Sequence, residues 1–451
     1  MALLLKGGRC VDPQVSLDCI ADVLVGDDGR IEGVFPEGSD EGREVRAREG
    51  LDVVDCDGMV VVPGLVDIHV HFRDPGQEYK ETIEGGCRSA AKGGYTDVCT
   101  MPNTTPVCDT GAIVTYQIAK ADACGFARVH PIGAITKGEA GESLAEIGDM
   151  RRAGACAFSD DGRGVQSAGM LRSAMDYVSQ FGCCVISHCQ DESLVGHGVV
   201  NEGVASSRLG LAGWPAQGEE LQVARDIMLS ELTGCPLHIA HVSTAKGVEM
   251  VRDAKARGLE VTCEVTPHHL FLCEDDLTET FDTNYKMNPP LRTRADMAAL
   301  REALADGTID CVVSDHAPHA AHEKALEFER APFGIVGLET ELPLVLTELV
   351  SSGKLSWNRL VDAMCVKPRA ICRLPRVAVE AGCEATLTVI DPSAVFQATP
   401  SFLESRAKNT PFLGRVLRGR AVHAFVCGRR TLADGEVVCG DSNMKGAEDV
   451  R

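Results

Sequence analysis

Short apolar runs alternate with helix-compatible stretches through the middle of the chain. The apolar runs end in polar or Gly/Pro-containing sequence and lie at residues 59–71, 96–101, 128–134, 155–159, 183–188, 237–242, 259–265 and 310–315. The helix-compatible stretches lie between them, at residues 80–93, 171–182, 219–232, 244–257 and 296–306. Eight strands that alternate with helices predict an α/β fold, a closed (β/α)₈ TIM barrel.

Polar side chains stand where most of these predicted strands end. His69 and His71 are two residues apart, so a strand places both imidazoles on one face. The ends of the other strands carry Asn103, Asp160 and Asp161, His188, His241, His268 and Asp315. Because catalytic groups of a TIM barrel sit at the carboxyl ends of its strands, we expect these side chains to meet in the barrel mouth.

The two ends of the chain have a different pattern from the middle. Residues 1–57 contain two apolar runs around an Asp-Gly turn, which is a hairpin signal, and residues 376–451 contain further short β-runs with Gly turns. We predict that the two segments pair into one small β-sandwich beside a barrel of residues 58–375. Residues 440–451 are polar and are predicted to be frayed.

Composition favours a large enzyme without membrane or nucleic-acid partners. A chain of 451 residues with 44% hydrophobic content can bury a full barrel, and no run reaches the roughly 20 apolar residues of a membrane span. The amino terminus has too short an apolar core for a signal peptide. Twenty cysteines are scattered without a C-x-x-C motif, which favours reduced thiols and a cytoplasmic location. The net charge of −22 argues against nucleic acid.

The side chains expected in the mouth form a ligand set for a divalent metal. Imidazole nitrogens with carboxylate oxygens suit zinc, and a central carboxylate can bridge two ions. Such ions polarise a carbonyl group and activate water, which predicts metal-assisted amide hydrolysis with Asp315 carrying the proton to the leaving nitrogen. The predicted ligands of one or two zinc ions are His69, His71, Asp161, His188, His241 and Asp315.

Several motifs resemble the amidohydrolase superfamily and, within it, the bacterial type I dihydroorotases. They are Asp-Ile-His-Val-His-Phe-Arg-Asp-Pro-Gly at 67–76, Met-Pro-Asn-Thr at 101–104, Phe-Ser-Asp-Asp-Gly at 158–162, His-Cys at 188–189, His-Val-Ser-Thr at 241–244, Asn-Pro-Pro-Leu-Arg at 288–292 and Ser-Asp-His-Ala-Pro-His at 314–319. The resemblance covers nearly the whole chain. It implies reversible cyclisation of N-carbamoyl-L-aspartate to L-dihydroorotate in pyrimidine biosynthesis. It implies the same six ligands and substrate contacts from Arg73, Asn103, Asn288, His319, Phe333 and Gly334.

The fourth strand separates this family from its relatives. Dihydropyrimidinases and allantoinases typically bridge their metals with a carboxylated lysine there, whereas this strand ends in Asp160 and Asp161. The resemblance favours Asp161 as the bridge, with Asp160 as the competing candidate. Thr386 is a departure, because the family usually has Asp at that position.

Substrate recognition gives a further expectation. Dihydroorotate has a ring carboxylate, and a guanidinium can bind a carboxylate with two parallel hydrogen bonds. Arg73 is two residues beyond His71 on the same face, and Asn103 ends the next strand. Two alternatives stay open: another cyclic amidohydrolase activity, or a non-catalytic scaffold for aspartate transcarbamoylase. Association with that enzyme and a homo-oligomer are also expectations.

Other polar residues near the mouth receive secondary roles. We expect His268 and His269 to line or support the pocket, and His316 to orient Asp315. The segment 318–333, which contains His319, is either a lid that closes over substrate or an ordinary mobile loop.

Overall fold

The computed structural model describes residues 2–438, and at its centre is the predicted (β/α)₈ barrel. The prediction made for residues 440–451 lies outside the described residues. The barrel strands are parallel and are, in chain order, Leu65–Val70, Tyr95–Thr100, Arg128–Pro131 continued by Gly133–Ala134, Phe158–Ser159, Val185–Ser187, Leu237–Ile239, Val261–Val265 and Cys311–Val312. Seven of them lie within the predicted apolar runs, and the second begins one residue before its run, at Tyr95.

The eighth strand closes the barrel against the first. Val70 and His316 form a parallel bridge, and the His71 amide donates to the His316 carbonyl at 2.8 Å. The Ser314 amide donates to the Asp67 carboxylate at 3.0 Å. Closure brings the polar carboxyl ends of all eight strands to one rim.

Helices surround the barrel and return the chain between strands. The principal ones are Ile83–Gly93, Gly111–Cys124, Ile147–Ala153, Ala168–Val178, Gln217–Thr233, Ala245–Ala256, Arg294–Asp306 and Leu338–Val345, and the shorter ones are Glu192–Val195, Val204–Leu209, Pro267–Phe271, Ala321–Lys324, Trp357–Val361 and Lys367–Ile371. Ile83–Gly93 begins three residues later than the helix pattern, because the Thr82 hydroxyl caps it by accepting from the Gly85 amide. No helix among residues 2–438 is both long enough and apolar enough to cross a bilayer.

The two ends of the chain share one nine-stranded sheet. Its strands are Leu3–Asp12, Leu17–Val25, Ile31–Pro36, Asp52–Asp55, Val60–Pro63, Leu387–Gln397, Val416–Val426, Arg429–Ala433 and Glu436–Val437. Leu387–Gln397 pairs antiparallel with Val60–Pro63, which joins the two ends. The helix Asp40–Arg46 packs beside this sheet, which has an apolar core distinct from that of the barrel. Thr386, the family departure, precedes one of these strands.

The apolar run 59–71 is divided into two strands at Gly64. Val60–Pro63 pairs in the terminal sheet and Leu65–Val70 begins the barrel. A Cβ at Gly64 would lie 2.2 Å from the Thr96 hydroxyl, so only glycine permits this close passage from one sheet to the other. We therefore move the proposed first domain boundary from residue 57 to Gly64 and keep the second, at residue 375, as a proposal.

Candidate active site

A cavity of about 230 Å³ opens at the carboxyl ends of the barrel strands. Eleven of the twelve site residues expected from the sequence line it: His71, Arg73, Asn103, Asp161, His188, His241, Asn288, Asp315, His319, Phe333 and Gly334. The twelfth, His69, is fully buried beneath the others.

Two overlapping groups of ligand atoms meet at the base of this cavity. One consists of His69, Asp161 and His241, and the other of His69, His71 and Asp315. Within each group the donor atoms all lie within 4.8 Å of one another. The His71 Nε2 atom is 3.1 Å from an Asp315 oxygen, and the His69 Nε2 atom is 3.5 Å from an Asp161 oxygen.

His188 completes the arrangement on the side of the fifth and sixth strands. Its Nδ1 atom lies 3.5 Å from Asp161 and 2.9 Å from the Nε2 atom of His241. The six predicted ligands therefore surround one small volume, with the Asp161 carboxylate between the two pairs of imidazoles.

Several ligand atoms in this volume are buried without a hydrogen-bond partner among residues 2–438. They include His69 Nε2 and Asp161 Oδ1, which face each other. A buried polar atom without a partner costs free energy, so an ion or ligand is expected there. Imidazole nitrogens and carboxylate oxygens around a common point fit a zinc ion.

The charges favour a cation at the centre of the cluster. Burial lowers the pKa of the His69 imidazole, but the Glu264 and Asp161 carboxylates outweigh burial and hold that pKa well above its ordinary value. Conversely, burial raises the pKa of Asp161, and the His69 and His188 rings more than reverse this, so its pKa lies well below the usual range. The carboxylates thus stabilise positive charge at the position where the ligand atoms converge.

Asp160 and Asp161 point in different directions. The Asp160 Oδ1 atom accepts from the Ile135 and Thr136 amides at 2.8 and 3.0 Å, and the Thr136 hydroxyl donates to the other oxygen. Asp160 therefore ties the fourth strand to the third. Asp161 faces His69 and His188 instead.

Backbone strain is concentrated around the cluster. Arg73, His241 and Asp315 have φ values of +60°, +30° and +46°, and they are three of the nine non-glycine residues with positive φ among residues 2–438. Side chains rarely adopt this region without support from the surrounding fold. The strain directs side chains from the ends of three strands toward one cavity.

Glu264 was missed by the sequence analysis. It is fully buried on the seventh strand, where one oxygen lies 2.5 Å from His69 Nδ1 and accepts from the His241 amide at 3.1 Å. Its other oxygen lies 3.0 Å from His238 Nε2. A carboxylate of this kind fixes the orientation and tautomer of a ligating histidine. The sequence contains one feature that could have indicated this role: a single charged residue inside the apolar segment Val-Thr-Cys-Glu-Val. A buried charge needs a partner, so such a residue is expected to contact a polar site.

Asn103 and Asn288 form side-chain hydrogen bonds that the sequence did not predict. The Asn103 side-chain oxygen lies 2.8 Å from His71 Nδ1, so this amide orients a predicted ligand. Asn288 donates to the Gln190 side chain at 2.9 Å, and the same oxygen of Gln190 lies 2.8 Å from His188 Nε2. The Asn288 Oδ1 atom has no partner within the described part of the chain. Gln190, like Glu264, was missed.

Arg73 is a buried cation without a carboxylate partner. Its side chain donates to the Pro318 carbonyl at 3.3 Å, and it forms no ion pair with any residue between 2 and 438. Its guanidinium lines the cavity beside the metal ligands. A guanidinium held in this way is suited to bind the carboxylate of a ligand.

A further part of the cavity wall, next to Arg73, is built from His319, Phe333 and Gly334. The His319 Nε2 atom lies 2.7 Å from the Phe333 carbonyl. Gly334 has a φ of +116°, and a Cβ there would lie 2.6 Å from that of Ala317. Asn409 binds the His319 amide and the Gly334 carbonyl, both at 3.1 Å, so the carboxy-terminal part of the chain holds this wall in place.

The three other histidines near the mouth, His268, His269 and His316, are buried. His268 and His269 pack ring to ring at 4.5 Å, and the His269 Nε2 atom lies 3.0 Å from the Pro289 carbonyl. The Nδ1 atom of His316 accepts from the Gly337 amide at 3.2 Å, so this ring contacts the start of a helix rather than Asp315. Our expectation for His316 did not allow for this backbone contact.

Two buried lysines hold the segment 318–334, one from inside the segment and one from outside it. Lys324, within the segment, donates to the Pro332 and Gly334 carbonyls at 3.0 and 3.1 Å, and Lys286, outside it, donates to the Phe328 and Glu329 carbonyls at 2.7 and 3.0 Å. Burial lowers the pKa of Lys324 to about 7 and that of Lys286 to about 8. Whether residues 318–333 move as a lid stays a prediction.

Comparisons with known proteins agree with this geometry. Residues 58–247 match the family model described as dihydro-orotase-like. L-hydantoinase (dihydropyrimidinase) from Arthrobacter aurescens superimposes with a TM-score of 0.85 and 27% identity over 97% of both chains. D-hydantoinase from Thermus sp. has the same fold, with a TM-score of 0.79 and 24% identity over 98% of this chain and 97% of that one.

The fold and the histidine–aspartate site define the chain as a member of the amidohydrolase superfamily. Dihydroorotase from Geobacter sp. (strain M21) is 49% identical over 95% of this chain and 99% of that protein. Dihydroorotase from Acetivibrio thermocellus is 47% identical over 94% of this chain and 98% of that protein. The chain belongs to the dihydroorotase family.

Proposed function

We propose that the protein is a zinc-dependent dihydroorotase. It closes N-carbamoyl-L-aspartate to L-dihydroorotate, reversibly, in pyrimidine biosynthesis. The observation that carries the proposal is the unpaired, buried guanidinium of Arg73 on the wall of a cavity whose base is a cluster of metal-ligand atoms. A substrate with both a cyclic amide and a carboxylate fits these two features. The similarity of the chain to dihydroorotases also supports the proposal.

The residues that would hold zinc in this proposal are His69, His71, Asp161, His188, His241 and Asp315, with Asp161 as the central carboxylate. Zinc held there would polarise the ring carbonyl and make water a better nucleophile near neutral pH. The orphaned atoms His69 Nε2 and Asp161 Oδ1 support one or two ions at this position.

Asp315 carries the proton in both directions. In hydrolysis its carboxylate takes a proton from the attacking water and gives it to the leaving ring nitrogen. In ring closure it takes the proton from the carbamoyl nitrogen as that nitrogen attacks the side-chain carboxyl carbon, and returns it to the carboxyl oxygen, whose bond to carbon breaks as water leaves. Microscopic reversibility requires that one group serve both directions. Closure converts a dianion into a monoanion and water, so it consumes a proton and is favoured at lower pH.

Substrate is oriented by contacts along the cavity wall. Arg73 binds the ring carboxylate with Asn103 beside it, and Asn288 offers its unpartnered side-chain oxygen. His319 and the Phe333–Gly334 backbone form the part of the wall next to Arg73. A Cβ at Gly334 would collide with Ala317, so glycine is needed for this part of the wall to form.

The complete ligand set favours an active enzyme over a scaffold. We further propose a cytoplasmic homo-oligomer that associates with aspartate transcarbamoylase. Of the 19 cysteines in residues 2–438, the 18 other than Cys124 are free thiols, in keeping with a reducing compartment.

The test is a parallel assay of the full chain on dihydroorotate, hydantoin and allantoin. The proposal expects turnover of dihydroorotate with a kcat/KM at least about a hundredfold above the other two, because only dihydroorotate offers a carboxylate to Arg73. Preferred turnover of hydantoin or allantoin would assign a different cyclic amide. Absence of turnover in a metal-loaded sample would favour the scaffold.

A further inference from the structure

A second group of ligand atoms lies in the barrel interior, away from the mouth. The sulfurs of Cys99, Cys156 and Cys372 all lie within 4.8 Å of one another, and the three residues are 0%, 5% and 1% exposed. Among residues 2–438 no other group of three thiols meets in this way. The group contains only sulfur, whereas the candidate active site offers nitrogen and oxygen.

This thiol cluster lies deeper in the barrel than the candidate active site. Cys156 precedes the fourth strand, Phe158–Ser159, whereas Asp161 follows it. Extended chain of that length spans about 16 Å. Cys99 is the fifth residue of the second strand, and Cys372 follows the helix Lys367–Ile371. All three belong to one apolar core in the barrel interior. Three segments that are distant in sequence thus converge on one point.

The spacing of the sulfurs fits a single metal ion. Three sulfurs that are each about 2.3 Å from a zinc ion lie about 3.8–4.0 Å apart. Sulfurs within 4.8 Å of one another reach this spacing with movements of less than about 1 Å, which rotation of the side chains can supply. Thiolate ligands select soft or borderline cations such as Zn²⁺ and Cd²⁺.

A cavity outside the barrel shares residues with the core that encloses the cluster. The cavity has a volume of about 300 Å³, opens beside the amino-terminal ends of the later barrel strands and is lined by Cys184, Leu237, Thr262, Lys367 and Ile371 among others. Cys184 belongs to the same apolar core as the three thiols, and its sulfur donates to the Ile371 carbonyl at 3.6 Å. Ile371 in turn precedes Cys372, so the cavity approaches the cluster from this side.

We propose that Cys99, Cys156 and Cys372 form a second metal site, for a thiophilic divalent cation, in the barrel interior below the mouth. Binding replaces the three thiol protons with one ion and joins the second strand, the entry to the fourth strand and the segment after the last helix. The site stabilises the barrel interior and takes no part in the reaction at the mouth. It does not depend on the proposed function.

The probe is Cd²⁺ alone, titrated into the reduced full-length protein with the metal that it retains on purification. Thiolate coordination gives an ultraviolet charge-transfer absorption that nitrogen and oxygen ligands do not give. The expected result is one such absorption that saturates at one Cd²⁺ per chain. X-ray absorption at the cadmium edge should then show a shell of three sulfurs in the wild-type protein, a measurement that requires no variant.

Substitution of single cysteines shows which residues bind the ion. Cys156→Ala and Cys372→Ala should each remove the absorption and the rise in unfolding temperature that Cd²⁺ causes. Cys87→Ala is the matched control, since Cys87 is also fully buried but lies in the helix Ile83–Gly93, and it should keep both. Asp161→Ala should keep them as well, because it alters only the other site.

Two results would overturn the proposal. One is a wild-type protein that shows no thiolate–cadmium absorption or no sulfur shell. The other is an absorption that Cys156→Ala and Cys372→Ala leave unchanged while both variants remain folded.

Discussion

Two regions of the barrel mouth use the same kinds of side chain in different ways: the centre, which is the cluster of predicted metal ligands, and a supporting ring of residues around it. The side chains of the centre contain atoms without hydrogen-bond partners, whereas those of the supporting ring are fully bonded. In the centre, His69 Nε2 and Asp161 Oδ1 are buried without partners. In the supporting ring, Asp160 and Glu264 have both carboxylate oxygens bonded within the protein. The difference separates atoms kept available for an ion and substrate from atoms that hold the fold.

This comparison explains which parts of the site the sequence could predict. The histidines at the ends of the first, fifth and sixth strands follow apolar runs, so their position at the mouth follows from strand periodicity alone. The role of Glu264 depends on His69 and His238, which come from other strands. No local pattern reports contacts between residues so far apart in sequence.

The choice between Asp160 and Asp161 shows the same limit. Adjacent residues at a strand end have the same local signal, and only the family resemblance favoured Asp161. The structure adds the reason for a difference, since the third strand supplies the amides that engage Asp160. These amides belong to Ile135 and Thr136, which sequence alone does not connect with Asp160.

The fold was more predictable than the site. Each of the eight barrel strands lies within an apolar run or begins one residue before it, because burial on both faces requires continuous apolar sequence. The run 59–71 was interpreted as one strand although it is two. Both halves are apolar, and the close packing of Gly64 against Thr96 depends on a neighbouring strand.

The largest expected effect is a loss of catalytic rate on substitution of Asp315, at the centre of the barrel mouth. Asp315→Asn keeps the shape of the side chain but removes its ability to carry a proton, so kcat should fall by about 10²–10⁴-fold or more in both directions. Initial rates of ring closure and hydrolysis measure this. Asp253→Asn, at an exposed position, is the control. If Asp315→Asn keeps metal and appreciable activity in either direction, the proton carrier is another residue, with His319 the next candidate.

The second-largest expected effect is a loss of substrate binding on substitution of Arg73. This guanidinium is buried and has no carboxylate partner among residues 2–438. Arg73→Met should weaken the interaction with dihydroorotate by about 2–5 kcal/mol, since a charged partner is lost in a desolvated pocket. Residual turnover of dihydrouracil, which lacks the carboxylate, should change little, and Arg172→Met provides an exposed control. An equal loss for both substrates would show that Arg73 supports the fold instead.

A smaller effect, on zinc affinity, is expected when Glu264 in the supporting ring is changed. Glu264→Gln keeps the size of the side chain but removes the charge that orients His69, so zinc affinity should fall by about 10–100-fold while the protein remains folded. Competition with a chelator measures the affinity. Glu260→Gln, at the exposed start of the same region, should have no effect. Unchanged affinity in Glu264→Gln would remove Glu264 from the metal-supporting role.

The smallest effect is a pH dependence from the segment 318–334. The pKa of Lys324 is about 7 in the folded protein and ordinarily 10.5, so the unfolded chain binds more protons between these values. Lys324 therefore lowers stability near pH 7, and this penalty decreases as the pH rises. Unfolding of wild type and Lys324→Met at pH 7 and 9 should show a smaller rise with pH in the variant. Lys354→Met, at an exposed position, should behave as wild type; identical pH slopes in all three would contradict the assignment.

The most direct test of the central claim is the metal content of two neighbouring variants. Zinc per folded chain is measured after dialysis for Asp161→Ala and Asp160→Ala, under conditions where circular dichroism shows both to be folded. The account predicts that Asp161→Ala loses metal and activity together, whereas Asp160→Ala retains metal although its stability falls, because the Ile135 and Thr136 amides lose their acceptor. Full metal in Asp161→Ala with loss in Asp160→Ala would contradict it.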